Sequence, residues 1–185
     1  MDRAGEKHLK TEQTAASRVA SLDWKRSLLE TFAINERANQ KLLEGLSDKA
    51  WRTPPPGGKG RSLAGIACHI HNVRLMWLAA ADKSAKVPAK LDDDNITREE
   101  AMEALTKSAA LLRKLLEKGL EDPAGRVPNF KPDVVAFVGY LIAHDSHHRG
   151  QMAMLARQIG APLPSKASFG LWEWGTLWKE TGLSH

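Results

Sequence analysis

Two short histidine clusters contain the side chains of this sequence that are best suited to bind a metal ion. They hold five of the seven histidines: His69 and His71, then His144, His147 and His148. Each residue of a helix advances by about 100°, so His144 and His148 lie about 40° apart on adjacent turns. This HxxxH spacing lets two imidazoles bind one ion. His147 shares the general face of His144 but points away from His148, so the three cannot bind one ion equally well.

The first cluster offers two candidates for a third ligand. His69 lies in the helical row of Ile66 and Val73, whereas His71 lies in the row of Arg74, which the pattern turns partly to solvent. The spacing therefore predicts that His69 faces the core and that His71 lies on the surface.

A metal ion accounts for three imidazoles that meet in a core. Buried neutral imidazoles are costly unless each finds a partner, and a divalent cation supplies that partner. Three protein ligands leave a coordination position for water or substrate, as in catalytic sites. Zinc and nickel both accept imidazole, and the donor type does not choose between them.

Helical segments must position these clusters, because apolar residues recur with a 3.6-residue period and strand patterns are nearly absent. Ser62 caps the second segment, and Thr97 with Glu100 forms a capping-box signature at the third. Four long segments with one core predict an all-α four-helix bundle, followed by a short C-terminal helix or aromatic lid. The four segments span residues 21–46, 63–85, 97–120 and 133–160, the loop after the first spans 52–62, and the C-terminal segment spans 169–181.

Composition and charge exclude several classes of protein. The net charge of +5 comes from 27 basic and 22 acidic residues that are interleaved, which disfavours a nucleic-acid binder. No apolar run is long enough to span a membrane, and the polar N-terminus is not a secretory signal. The single cysteine fits a reducing cytoplasm. These features predict a cytoplasmic protein with a flexible arm over residues 1–18 and one helical domain over 19–185.

Several blocks of the sequence resemble the DinB/YfiT-like family of bacterial metalloproteins. The blocks are LLETFAINERANQKLLEGLSDKAW, IACHIHNVRLMWL and HDSHHRGQM, in this order, and GLWEWGTLW is similar to the tail of one subgroup. The resemblance covers about residues 22–180. It implies a four-helix bundle with up-down-down-up topology that often forms a homodimer.

The resemblance also implies a metal site and a chemistry. Carried over by position, the ligands are His69, His144 and His148, and the metal is commonly Zn²⁺ or Ni²⁺. His69 is chosen because its spacing to Trp77 matches the family's spacing from histidine to aromatic residue. Characterised relatives include transferases that join bacillithiol, mycothiol or glutathione to electrophilic compounds.

Three functions stay open at this point. The first is a metal-dependent thiol transferase, in which coordination deprotonates the thiol. The second is a hydrolase that uses the same metal to activate water, with Asp145 at the general-base position of an HExxH-like motif. The third is a non-catalytic stress-response module. The favoured interpretation of Asp145 itself is a charge on the outer face of the helix.

Other residues have secondary expected roles. Ligating histidines need a hydrogen-bond partner on the other ring nitrogen, and the candidates near the site are Asn72, Asp145, His147 and Gln151. Arg149 is expected in a solvated salt bridge, Gly150 at the close approach of another backbone, and Cys68 in the core. Three tryptophans are expected as core or dimer contacts: Trp172, Trp174 and Trp178.

Overall fold

The computed structural model describes residues 21–92 and 95–183, and their secondary structure is helical apart from one isolated bridge between Val127 and Phe130. The predicted N-terminal arm lies outside the described residues. None of the described helices is both long and apolar enough to cross a lipid bilayer. The helices are α1 (Trp24–Gly45), α2 (Asp48–Arg52), α3 (Leu63–Ala81), α4 (Arg98–Glu121), α5 (Val134–Gln158), α6 (Ser165–Gly170) and α7 (Trp174–Glu180).

Side-chain N-caps determine where two of the long helices begin. The Ser62 hydroxyl accepts a hydrogen bond from the Gly65 amide at 2.9 Å, which starts α3. Thr97 and Glu100 form the predicted capping box at the start of α4. Between α2 and α3 the chain holds only a short 3-10 turn at Pro56–Gly58, so the predicted loop is confirmed.

The four long helices pack in pairs around a divided core. α1 and α3 each pack against both α4 and α5. One apolar cluster includes Leu42, Leu43, Ile66, Leu105 and Met152. A second includes Phe32, Leu75, Leu112, Phe137 and Leu141. Buried polar side chains lie between the positions of these two clusters along α1, α3 and α5, and we call them the polar layer: Asn35, Asn39, His71, Arg74, Asp145 and His148.

The C-terminal segment forms two short helices that dock on α1. Glu180 accepts hydrogen bonds from Arg37 at 2.7 Å and Lys41 at 2.9 Å. Leu177 supplies the fully buried contact of α7. Trp172 is 80% exposed and Trp174 is 50% exposed. These two tryptophans therefore lie outside the core, whereas Trp178 is half-buried. Their alternative role as dimer contacts stays a prediction.

Candidate metal centre

The structure brings together the three histidines that the sequence selected. His69 lies on α3, and His144 and His148 lie one turn apart on α5. One ring nitrogen from each histidine can be chosen so that all three lie within 4.8 Å of one another. The Nε2 atoms of His144 and His148 are 3.2 Å apart, and the ring of His69 lies 4.7 Å from that of His148 between centroids.

This donor set fits a divalent cation. Imidazole nitrogen binds zinc at about 2.0–2.1 Å, so two nitrogens in a tetrahedral site lie roughly 3.3 Å apart. The 3.2 Å between the two Nε2 atoms is close to that value. Three imidazoles whose ring nitrogens lie close together match the ligand preference of zinc and nickel.

Gln151 holds His148 in the orientation that metal binding requires. The Nδ1 of His148 lies 2.7 Å from the amide oxygen Oε1 of Gln151. Because an amide oxygen only accepts, Nδ1 carries the hydrogen and Nε2 keeps its lone pair. Gln151 therefore contacts a ring nitrogen of one clustered histidine, and its role beside a metal ligand stays a prediction.

Asp145 is buried beneath the histidines, and its predicted position on the outer helix face is wrong. Its Oδ2 accepts hydrogen bonds from Asn35 at 2.7 Å, Asn39 at 2.9 Å and Arg74 at 2.9 Å. Its Oδ1 lies 3.7 Å from Nδ1 of His144. Polar groups from α1 and α3 therefore draw this carboxylate inward.

The buried Asp145–Arg74 pair is ionised. Burial by itself would raise the pKa of Asp145, but the Arg74 charge, the nearby His144 ring and the hydrogen bond from Asn39 hold that pKa well below its usual range. Burial by itself would lower the pKa of Arg74, but the charges of Glu36 and Asp145 raise that pKa above its ordinary value. A carboxylate held this way is a poor general base, which weakens the hydrolase hypothesis in the form that uses Asp145.

His71 and Arg74 are buried, so the prediction that their helical row faces solvent is wrong. Each is 1% exposed. The ring nitrogens of His71 lie 3.1 Å and 3.3 Å from the carbonyl oxygens of Ala104 and Ala89. The His71 row packs toward α4, so the prediction that His69 rather than His71 is the inward histidine is also wrong. His69 is only half-buried, as is Val73 in its row, although its ring contacts that of His148 on α5.

Two other candidates, Asn72 and His147, have no hydrogen bond to the three clustered histidines in the described part of the chain. The Asn72 amide donates to the Leu91 carbonyl at 2.9 Å and accepts from the Leu91 amide at 2.9 Å. It therefore fixes the connection between α3 and α4, and no hydrogen bond to a histidine is found for it among the described residues. His147 is exposed, with its ring 5.1 Å from that of His148.

Three further expectations can be compared with the structure. Cys68 is buried, as expected. Arg149 is half-buried and donates to the amide oxygens of Asn35 at 2.7 Å and Asn39 at 2.5 Å, so a solvated salt bridge is wrong. No backbone approaches Gly150, because a Cβ there would meet nothing within 4 Å.

The sequence analysis missed the two asparagines of α1. Asn35 and Asn39 are buried, on the same face of α1 as Phe32 and Leu42. Two amides four residues apart on an apolar stripe were the available signal. Together they orient Asp145 and bond Arg149, so they connect α1 to the helix that carries two of the histidines.

Acidification is expected to destabilise the metal-free protein through His69. Burial, Arg61 and the neighbouring histidines lower the pKa of His69 to about 4, against 6.5 for a free histidine. The unfolded chain therefore takes up a proton first as the pH falls below 6.5, and the loss of stability is complete near pH 4.

Urea unfolding with a chelator between pH 7.5 and 4.5 checks this. The midpoint should fall more steeply for the wild type than for His69→Ala, whereas the exposed His147→Ala variant should follow the wild type. Equal slopes for the wild type and His69→Ala would contradict the prediction.

Comparison with known proteins adds one finding to this geometry. The model of the DinB family matches residues 17–175. This range includes the four long helices and all three clustered histidines. No match was found among curated proteins or among solved structures.

Proposed function

Because the chain belongs to the DinB family, we propose that its histidine cluster binds a divalent metal ion and that the protein transfers a low-molecular-weight thiol to an electrophile. The observation that carries the proposal is the convergence of three imidazole nitrogens from two helices within 4.8 Å. His69, His144 and His148 are the proposed ligands. Zn²⁺ or Ni²⁺ is the proposed ion.

The surrounding residues have proposed roles that follow from their contacts. A divalent cation, when bound, lowers the pKa of a coordinated thiol, which makes the sulfur nucleophilic at neutral pH. Gln151 orients His148 through Nδ1. Asp145 places its negative charge near Nδ1 of His144, and Arg74 keeps that charge in place. Cys68 is buried in the apolar core, so the nucleophile is expected to come from the substrate.

The ligand set is tested by metal content. Protein purified without a histidine tag is expected to hold about one metal ion per chain, measured by elemental analysis. The variants His69→Ala, His144→Ala and His148→Ala should each lose it, because two imidazoles alone bind weakly. The matched control His147→Ala should retain it. Full metal content in any of the three ligand variants would refute the set.

The reaction is tested with defined thiols and one electrophile. Bacillithiol, mycothiol and glutathione are each incubated with chlorodinitrobenzene, and the thioether is measured. The sulfur–carbon bond forms as chloride leaves with the bonding electrons, and the thiol proton passes to buffer. Metal-dependent conjugation with at least one thiol supports the proposal. A metal-loaded protein that conjugates none of them favours a non-catalytic metal-binding module instead.

We also propose the family's up-down-down-up arrangement for α1, α3, α4 and α5. The ring of His69 contacts His148, while Trp77, further along α3, contacts the earlier Phe137, which supports antiparallel α3 and α5. Phe32 of α1 shares an apolar cluster with Phe137, which supports parallel α1 and α5. The resemblance further supports a homodimer, and composition supports a cytoplasmic protein of one domain over residues 19–185 that does not bind nucleic acid.

A further inference from the structure

A groove of about 1150 Å³ lies next to the histidine cluster, between α5 and the segment that precedes and begins α3. Ile66 and Met154 contribute apolar surface to it, and Lys59 and Arg61 stand on the loop side. Gln151, which bonds Nδ1 of His148, also lines the groove. The groove therefore reaches the immediate surroundings of a proposed ligand.

The charged side chains of this groove are all basic. Lys59 and Arg61 are exposed, and no salt bridge of either is found among the residues that the structure describes. Within residues 21–92 and 95–183, no carboxylate lines the groove. Two cations that have no salt-bridge partner among the described residues, beside an apolar surface, favour a small organic anion.

Gly150 keeps the wall of this groove open. A glycine inside a helix costs about 1 kcal/mol relative to alanine. Packing does not explain the residue, because a Cβ at Gly150 would meet nothing within 4 Å. Gly139 on the same helix is also exposed and without a neighbour for a Cβ, but it lies outside the groove. Matched substitutions at Gly150 and Gly139 therefore distinguish an effect of blocking the groove from a general effect on α5.

We propose that the groove binds the thiol substrate through an anionic oxygen group, a carboxylate or phosphate, held by Lys59 and Arg61. The apolar part of the substrate lies against Ile66 and Met154, and its sulfur points toward the histidines. This inference rests on the proposed function, whose substrate class it specifies. Arginine binds either anion through paired hydrogen bonds, so the loop recognises the charge that both share.

The first experiment compares two thiols that differ mainly in charge. Cobalt-loaded protein is titrated with mercaptopropionate and with mercaptopropanol, and binding is followed by the cobalt–thiolate absorption band. The anion should bind about tenfold more tightly, a difference of about 1.4 kcal/mol. The preference should disappear in the double variant Lys59→Ala/Arg61→Ala and shrink with added salt. Competition by inorganic phosphate but not acetate identifies a phosphate site, and the reverse identifies a carboxylate site.

The second experiment blocks the groove. Gly150→Phe should retain cobalt but lose at least tenfold in affinity for mercaptopropionate, whereas Gly139→Phe should keep the wild-type affinity. Equal affinities of the two thiols for the wild type, or an unaffected Gly150→Phe variant, would overturn the groove proposal while leaving metal and thiol binding intact. Failure to bind cobalt, or no thiolate band with either thiol, would instead refute the proposed function together with this inference.

Discussion

Replacing Arg74 with leucine should lower the free energy of unfolding by about 3–5 kcal/mol, the usual cost of removing one partner of a buried ion pair. The guanidinium donates to Glu36 at 2.7 Å, Asp145 at 2.9 Å and the Leu105 carbonyl at 3.0 Å. Leucine leaves the Asp145 charge buried without its cation. Urea unfolding of the metal-free protein at pH 7 measures the effect.

Two comparisons show whether the unpaired charge causes this loss. Arg113 forms an i,i+4 pair with Glu117 on the outer part of α4, so Arg113→Leu should cost no more than about 0.5 kcal/mol. The double variant Arg74→Leu/Asp145→Leu should regain part of the stability, since it removes both charges. An Arg74→Leu loss no larger than that of Arg113→Leu would contradict the prediction.

Saturating zinc should raise the free energy of unfolding by about 4 kcal/mol when free zinc exceeds its Kd a thousandfold. The folded chain holds three imidazoles within 4.8 Å, whereas the unfolded chain does not bring them together, so binding favours the folded state. Urea unfolding with zinc, with nickel and with a chelator measures the difference.

The histidine variants assign that stabilisation to the site. His148→Ala should abolish most of the zinc effect, because His148 lies 3.2 Å from His144 between the two Nε2 atoms. The exposed His147→Ala variant, one residue away, should retain it. A zinc effect of wild-type size in His148→Ala would place the ion elsewhere.

The starts of α3 and α4 and the shared face of His144 and His148 could be predicted because both depend on local spacing. Ser62 and Thr97 start helices through hydrogen bonds to residues three positions away. His144 and His148 share a helical face whatever surrounds them. A short C-terminal helix was one of the two alternatives expected for residues 169–181. α2 was not predicted, because its five residues contain too few positions to define an apolar face.

Burial of the polar residues depended on contacts that local spacing does not contain. Asp145 was expected outside, yet its partners Asn35 and Arg74 come from other helices, 110 and 71 positions away. Periodicity alone could not show that the His71 row of α3 faces α4, because that burial depends on contacts with Ala89 and Ala104, which are distant in sequence. His71 and Arg74 were therefore assigned to the wrong side.

The polar layer fixes the positions of α1, α3 and α5 relative to one another along the bundle axis. Apolar side chains on either side of it are largely interchangeable, so leucine packing alone would tolerate a helix that slides by one turn, about 5.4 Å. Such a slide would separate Arg74 from Asp145 and Asn39 from the same carboxylate, and would leave buried charge unpaired. The polar layer thus allows one axial alignment of α1, α3 and α5. The histidines of α3 and α5 lie at the same level along the bundle axis because of this alignment.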